Sequence, residues 1–75
     1  MSRLPTVTGR EAIKAFEGHG FSVARIKGSH HIMKKEGHRY RLSVVVHGNK
    51  NLKPGTLSDL IKAAGLTVDE FIALL

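Results

Sequence analysis

Gly20-Phe21-Ser22-Val23-Ala24-Arg25-Ile26-Lys27-Gly28-Ser29-His30-His31-Ile32-Met33-Lys34-Lys35 is the stretch whose reading decides the fold. Its β-branched and aromatic residues recur with a period near two, and a break at Lys27-Gly28-Ser29 supplies a tight connection between two short strands, residues 21–26 and 30–35. Glu36-Gly37-His38 then reads as a hairpin turn into a third strand over residues 40–46. There Tyr40, Leu42, Val44 and Val46 alternate on one face, and Arg39, Arg41, Ser43, Val45 and His47 on the other. Such alternation suits an antiparallel sheet with one face packed and one in water.

Outward from this core of strands, helical signals stand at both ends. Thr8-Gly9-Arg10-Glu11 has the spacing of a capping box, with Val7 placed to staple onto Ala12, and predicts a helix over residues 9–18. Its apolar positions are Ala12, Ile13 and Phe16 with the stem of Lys14, and Gly18-His19-Gly20 stops it. After the polar loop of residues 47–53, Pro54 opens a second helix whose Leu57, Leu60, Ile61 and Ala64 form one stripe, ended by Gly65 with Leu66 placed for a Schellman stop. Thr67-Val68-Asp69-Glu70 is a second capping box, and the short helix behind it is expected to bury Phe71, Ile72 and Leu74 or Leu75. The order is helix, three antiparallel strands, helix, short helix, an α+β fold with the helices on one sheet face.

Seventy-five residues without cysteine make one domain, residues 1–75, rather than a disulfide-stapled module. A chain of this size buries only about 60 percent of its unfolded surface. Its thin core argues against a nicotinamide, flavin or haem pocket, so no cofactor is expected. No apolar run approaches the roughly 18 residues that a membrane span requires. Met1-Ser2-Arg3-Leu4-Pro5 has neither the apolar stretch nor the cleavage site of a signal peptide, and the chain reads as cytoplasmic.

Twelve Lys and Arg against six Asp and Glu give a net charge of +6. Residues 19–53 hold eight of the cations against Glu36 alone, while the remaining residues carry four cations against five carboxylates. Positive charge gathered in the middle of the chain is the footprint of a phosphate-backbone binder, although a solvated surface would show it too.

The chain has five histidines. His30 and His31 are adjacent in a strand, so their side chains point to opposite faces and cannot readily share a metal; no metal site is expected. Imidazole titrates near neutrality and suits general acid-base work. Among lysines and arginines, a histidine held on a strand beside Gly28-Ser29 could take the proton of a ribose 2′-hydroxyl while cations stabilise the phosphorane. His19, between glycines at a helix end, reads as a cap, and His38 as a solvated turn residue. His47, at the end of the third strand, neighbours the open face and could help bind substrate.

Lys27-Gly28-Ser29-His30-His31 after a helix and a Gly20-Phe21 strand start resembles the Gly-Ser-His signature of the HicA toxin family. Val46-His47, Pro54-Gly55-Thr56-Leu57 and Ala64-Gly65-Leu66-Thr67-Val68-Asp69-Glu70-Phe71 are similar to its second half, so the likeness covers residues 9–73. The resemblance implies a fold like the double-stranded RNA-binding domain, α-β-β-β-α. It also implies a type II toxin that cleaves messenger RNA and is silenced by a HicB antitoxin. The family's catalytic histidine maps to His30, with Gly28 as the supporting glycine, and the tandem leaves His31 as the other candidate. The chain departs from the family in Val45-Val46-His47-Gly48-Asn49-Lys50-Asn51, where members commonly carry a proline or an acidic residue. That difference bears on partner fit.

The resulting expectation is a metal-independent endoribonuclease with RNA and a HicB-like protein as partners and no membrane. His30 or His31 is the base, and Arg25, Lys27, Gly28, Ser29, Lys34, Lys35, Arg39, Arg41 and His47 bind RNA. A non-catalytic RNA-binding module would share the basic face but has no need of His30. An inactive relative that only binds a HicB-like partner is the third possibility.

Overall fold

In the computed structural model, which describes residues 3–75, the chain runs α1 (Gly9–Gly18), β1 (Ser22–Lys27), β2 (His30–Lys34), β3 (Leu42–Val45), α2 (Pro54–Ala63), α3 (Val68–Ala73). The expectation placed on Met1 and Ser2, that they open no signal peptide, lies outside the described residues. The strands form one antiparallel sheet in the order β1-β2-β3, and α1 and α2 both pack against β3. No helix among the described residues is long and apolar enough to cross a membrane.

Both capping boxes form as the sequence spacing predicts. Thr8 Oγ1 accepts from the Glu11 amide at 3.2 Å while the Glu11 carboxylate accepts from the Thr8 amide at 2.9 Å, and Thr67 and Glu70 repeat the exchange at 3.1 and 2.9 Å. At the end of α2 the Leu66 amide donates to Ile61 O and the Gly65 amide to Lys62 O, the paired bonds of a Schellman stop. Gly9, at the start of α1, lies so close to the end of β3 that a Cβ there would collide with the Val45 carbonyl oxygen and sit 3.1 Å from Val46 Cγ2. A helix can approach a strand backbone this closely only through a glycine.

The core fills the space between the helices and one sheet face. Phe16 is its centre, edge-on to Phe21 at 6.2 Å between centroids and tilted against Phe71 at 5.2 Å, with Met33, Leu42, Val44, Leu57 and Ile61 buried around them. Several side chains fall elsewhere than expected. On α1 the buried residues are Gly9, Ala12, Ala15 and Phe16, and Ile13 is only half-buried. Tyr40 is 57% exposed, because β3 begins two residues later, at Leu42, and Tyr40 belongs to the connection. On α3, Phe71 is buried and Leu74 packs against the core, but Ile72 and Leu75 face solvent. A helix of six residues has room for one inward anchor on so thin a core.

His38 is not the solvated turn residue that its position between strands suggests. Its Nε2 lies 2.7 Å from the carbonyl oxygen of Ala63 in the last turn of α2, and its ring stands edge-on to Phe21 at 5.2 Å. It ties the β2–β3 connection to the helical layer, which no local pattern could signal.

Candidate active site on the open sheet face

The face of the sheet away from the helices is set by register. Val23 pairs with Met33 on the core side, but the ladder shifts between Val23 and Arg25, so that Arg25 pairs with Ile32 and Lys27 with His30. Strict alternation would have kept Arg25 and Lys27 on the face of Val23. The extra residue, Ala24, is a bulge that delivers both cations to the open face. β3 continues the rows, with Val45 opposite His30 and Ser43 opposite Ile32. The open face therefore reads Lys27, His30, Val45 in one row and Arg25, Ile32, Ser43 in the next, with Ser22 and Lys34 paired beyond them. No carboxylate occurs in any of the three strands.

His30 opens β2 directly after a two-residue turn. Gly28 there has φ +59°, and Ser29 lies outside the positive-φ region, the pattern of a II′ hairpin turn with glycine first. Open space surrounds the position of a Gly28 Cβ, so the glycine is required by the backbone rather than by crowding. Ser29 is fixed in turn, since its carbonyl oxygen accepts from the Val46 amide at 2.8 Å. His30 is exposed, and its Nδ1 stands 3.4 Å from Ser43 Oγ. In the tautomer that has Nδ1–H donating to that hydroxyl, the ring's lone pair is at Nε2.

His31 goes to the other face, as adjacency in a strand requires. It lies opposite Val44 and lines an open cleft of about 440 Å³ with Arg10, Glu11, Ile13, Lys14 and Val46. Its Nδ1 is buried without a hydrogen-bond partner. The tandem histidines therefore have unlike surroundings, one in water beside Lys27 and the other against α1.

The expected RNA-binding residues divide similarly. Arg25, Lys27 and Lys34 share the face of His30, and Arg41 directly precedes β3, exposed. Lys35 is not brought there: its ammonium lies 5.9 Å from the Phe21 ring centroid, and its stem passes Gly20. Arg39 stacks its guanidinium 5.9 Å from the Tyr40 ring in the β2–β3 connection. His47 lies beside Val45 at a second cleft, of about 470 Å³, with Lys50, Asn51, Lys53 and Thr56 around it. These last four are absent from the sequence-based site. The loop that carries them is placed by the Leu52 amide donating to Val7 O at 2.8 Å and by a bridge from Thr8 to Asn51, a pairing across more than forty residues that no local pattern announces. Among the described residues, no three His, Asp or Glu side chains converge to hold a metal.

Comparison with known families gives one match. The model of a family described as HicA toxin of bacterial toxin-antitoxin fits residues 9–66, from the start of α1 to the Schellman stop of α2. No curated protein matches the chain.

Proposed function

The chain belongs to the HicA toxin family of bacterial toxin-antitoxin systems, and from that premise we propose that it is an endoribonuclease that cleaves messenger RNA with His30 as general base. The observation that carries the proposal is the position of His30, exposed on a carboxylate-free sheet face between Lys27 and the Val45–Ser43 edge, with its Nδ1 3.4 Å from Ser43 Oγ. Nε2 takes the proton of a ribose 2′-hydroxyl, and the 2′-oxygen attacks the neighbouring phosphorus. Lys27, with Arg25 on the next row, meets the charge that develops on the phosphorane oxygens. His31 shares its cleft with the Glu11 carboxylate as well as with Arg10 and Lys14, and its Nδ1 is shut from water, which favours His30 over it.

Induction of wild type, His30→Ala and His31→Ala in a host without antitoxin tests the assignment, with growth and transcript integrity followed. His30→Ala should lose about 10²–10⁴-fold in cleavage, the usual contribution of a positioned base. Toxicity that survives His30→Ala and vanishes with His31→Ala moves the base to the other face. RNA that is bound by wild type but left intact makes the chain a binding module.

A HicB-like antitoxin is the partner implied by the family. The basic face that suits RNA also suits acidic or carbonyl groups of such a protein, so the two should exclude each other. Labelled RNA that binds His30→Ala toxin equally well with and without saturating antitoxin would rule out inhibition by occlusion.

A further inference from the structure

The sheet brings a second histidine to the face that carries His30. Val45 is the direct partner of His30, Val46 turns its side chain to the helical side against Gly9, and the Val46 amide still holds the Ser29 carbonyl at 2.8 Å. The alternation thus runs past the end of β3 and places His47 on the open face, diagonal to His30. Diagonal neighbours on adjacent strands have Cα atoms about 7–8 Å apart. Ser43 engages the His30 ring on the side away from His47. Val45 pairs with His30 and lines one cleft with His47, and Lys27 pairs with His30 from the other side.

Behind His47 the chain builds a cleft of about 470 Å³. Its lining joins Val45 and His47 to Lys50, Asn51, Leu52, Lys53 and Thr56. Its shape is set by backbone bonds, since the Lys50 amide donates to His47 O at 3.0 Å and the Leu52 amide to Val7 O at 2.8 Å. A cleft of a few hundred Å³ is of small-ligand size, enough for about one nucleotide. Its two ammonium groups suit a phosphate, and its amide and hydroxyl can exchange hydrogen bonds with a ribose or base.

We propose that His47 is the general acid of the cleavage in which His30 is the base, and that the cleft behind it receives the nucleotide on the 5′-oxygen side of the broken bond. The inference rests on the RNA-cleaving reading above. The 2′-hydroxyl gives its proton to His30 Nε2 and its oxygen forms the new bond to phosphorus. The bond from phosphorus to the 5′-oxygen breaks, and the imidazolium of His47 supplies the proton to that oxygen. The products are a 2′,3′-cyclic phosphate and a 5′-hydroxyl, with one proton taken up and one released. Lys50 and Lys53 hold the next phosphate of the leaving strand.

The test compares two short RNAs with one cleavage site mapped with wild type, the natural oligonucleotide and one in which the departing 5′-oxygen is replaced by sulfur. A thiolate departs without a proton. His47→Ala and His47→Gln should lose about 10²–10³-fold in kcat on the oxygen substrate and come within a few-fold of wild type on the sulfur substrate. His30→Ala should lose about 10²–10⁴-fold on both. The double variant Lys50→Ala/Lys53→Ala should raise KM for RNA that extends beyond the cut, with kcat nearly unchanged. His47 variants that cleave the oxygen substrate at the wild-type rate, or that lose both substrates equally, overturn the acid assignment while His30 stands. An unchanged KM in the lysine double variant overturns the cleft as the subsite. Wild type that cleaves neither substrate overturns the RNA-cleaving reading, and this one with it.

Discussion

Replacing Gly9 by alanine should destabilise the protein by roughly 1–2 kcal/mol, although alanine is the better helix former. The new Cβ would run into the Val45 carbonyl oxygen, a backbone atom that cannot rotate aside, and would press on Val46 Cγ2 at 3.1 Å. Helix α1 and the end of β3 must part by about 1 Å to restore van der Waals separation. Overpacking of this kind costs about 1–3 kcal/mol. The helix preference of alanine recovers less than about 1 kcal/mol of that, because Gly9 is at the first helical position. At about 4–8 °C per kcal/mol for a domain of this size, Tm should fall by roughly 5–15 °C. Gly18, at the other end of α1, is the control. A Cβ there meets only Leu74 Cδ2, at an ordinary 3.6 Å, so Gly18→Ala should raise Tm by about 2–5 °C. Thermal melts by circular dichroism measure both. On the proposal that His30 is the base of an RNA cleavage, Gly9→Ala should also slow that cleavage below the Tm, because Val45 is the strand partner of His30. A Gly9→Ala melt within about 2 °C of wild type would refute the close-approach argument.

RNA binding by His30→Ala toxin should weaken with salt. Engagement of Arg25, Lys27, Lys34, Arg41, Lys50 and Lys53 gives a log-log slope of roughly −4 to −5. Lys27→Gln should flatten that slope by roughly 0.7–0.9, whereas Lys35→Gln, whose ammonium lies over Phe21, should leave it as it is; equal effects would dissolve the distinction between the faces. The Glu70 carboxyl is held below its ordinary pKa by the Thr67 backbone amide, then by the Thr67 hydroxyl, with His19 nearby adding to the effect. A depressed folded-state value means the box stabilises α3 at neutral pH and is lost as pH falls through that value. The Tm difference between wild type and Glu70→Gln should therefore shrink on acidification, and a pH-independent difference would rule the carboxylate out.

The elements were legible because their signals are local. Thr8 and Glu11, Thr67 and Glu70, Pro54 and the Gly65-Leu66 stop each lie within one turn of the helix end that they define, and the strands carry their period within five or six residues. The three-strand order followed from the short connections. What was hidden depends on partners far along the chain. The Ala24 bulge that sends Arg25 and Lys27 to the open face is a feature of pairing with β2, and nothing in Val23-Ala24-Arg25 marks it. His38 reads as polar turn chemistry until α2 folds back to present the Ala63 carbonyl. Lys50 and Lys53 were visible as charge but not as part of a cleft, because the loop carrying them is positioned by Val7 and Thr8. The exposed side of α3 was misread because helical spacing predicts an apolar face without saying how much core is there to receive it.

The adjacent histidines look like a spare part, and the sheet shows why neither can stand in for the other. Side chains on a strand change sides at every residue, so two identical neighbours answer to two different solvents, one aqueous and cationic, the other walled by a helix. Which imidazole receives which surroundings is decided by the length of the hairpin turn before them. One residue inserted after Ser29, with the pairing of β1 kept, would exchange the two rings. It would also turn Met33 out of the core and Ile32 into it, so the core resists the exchange. Which of the two histidines faces the open side is thus protected by a methionine three residues away, and a change to core packing is a change of face for both rings.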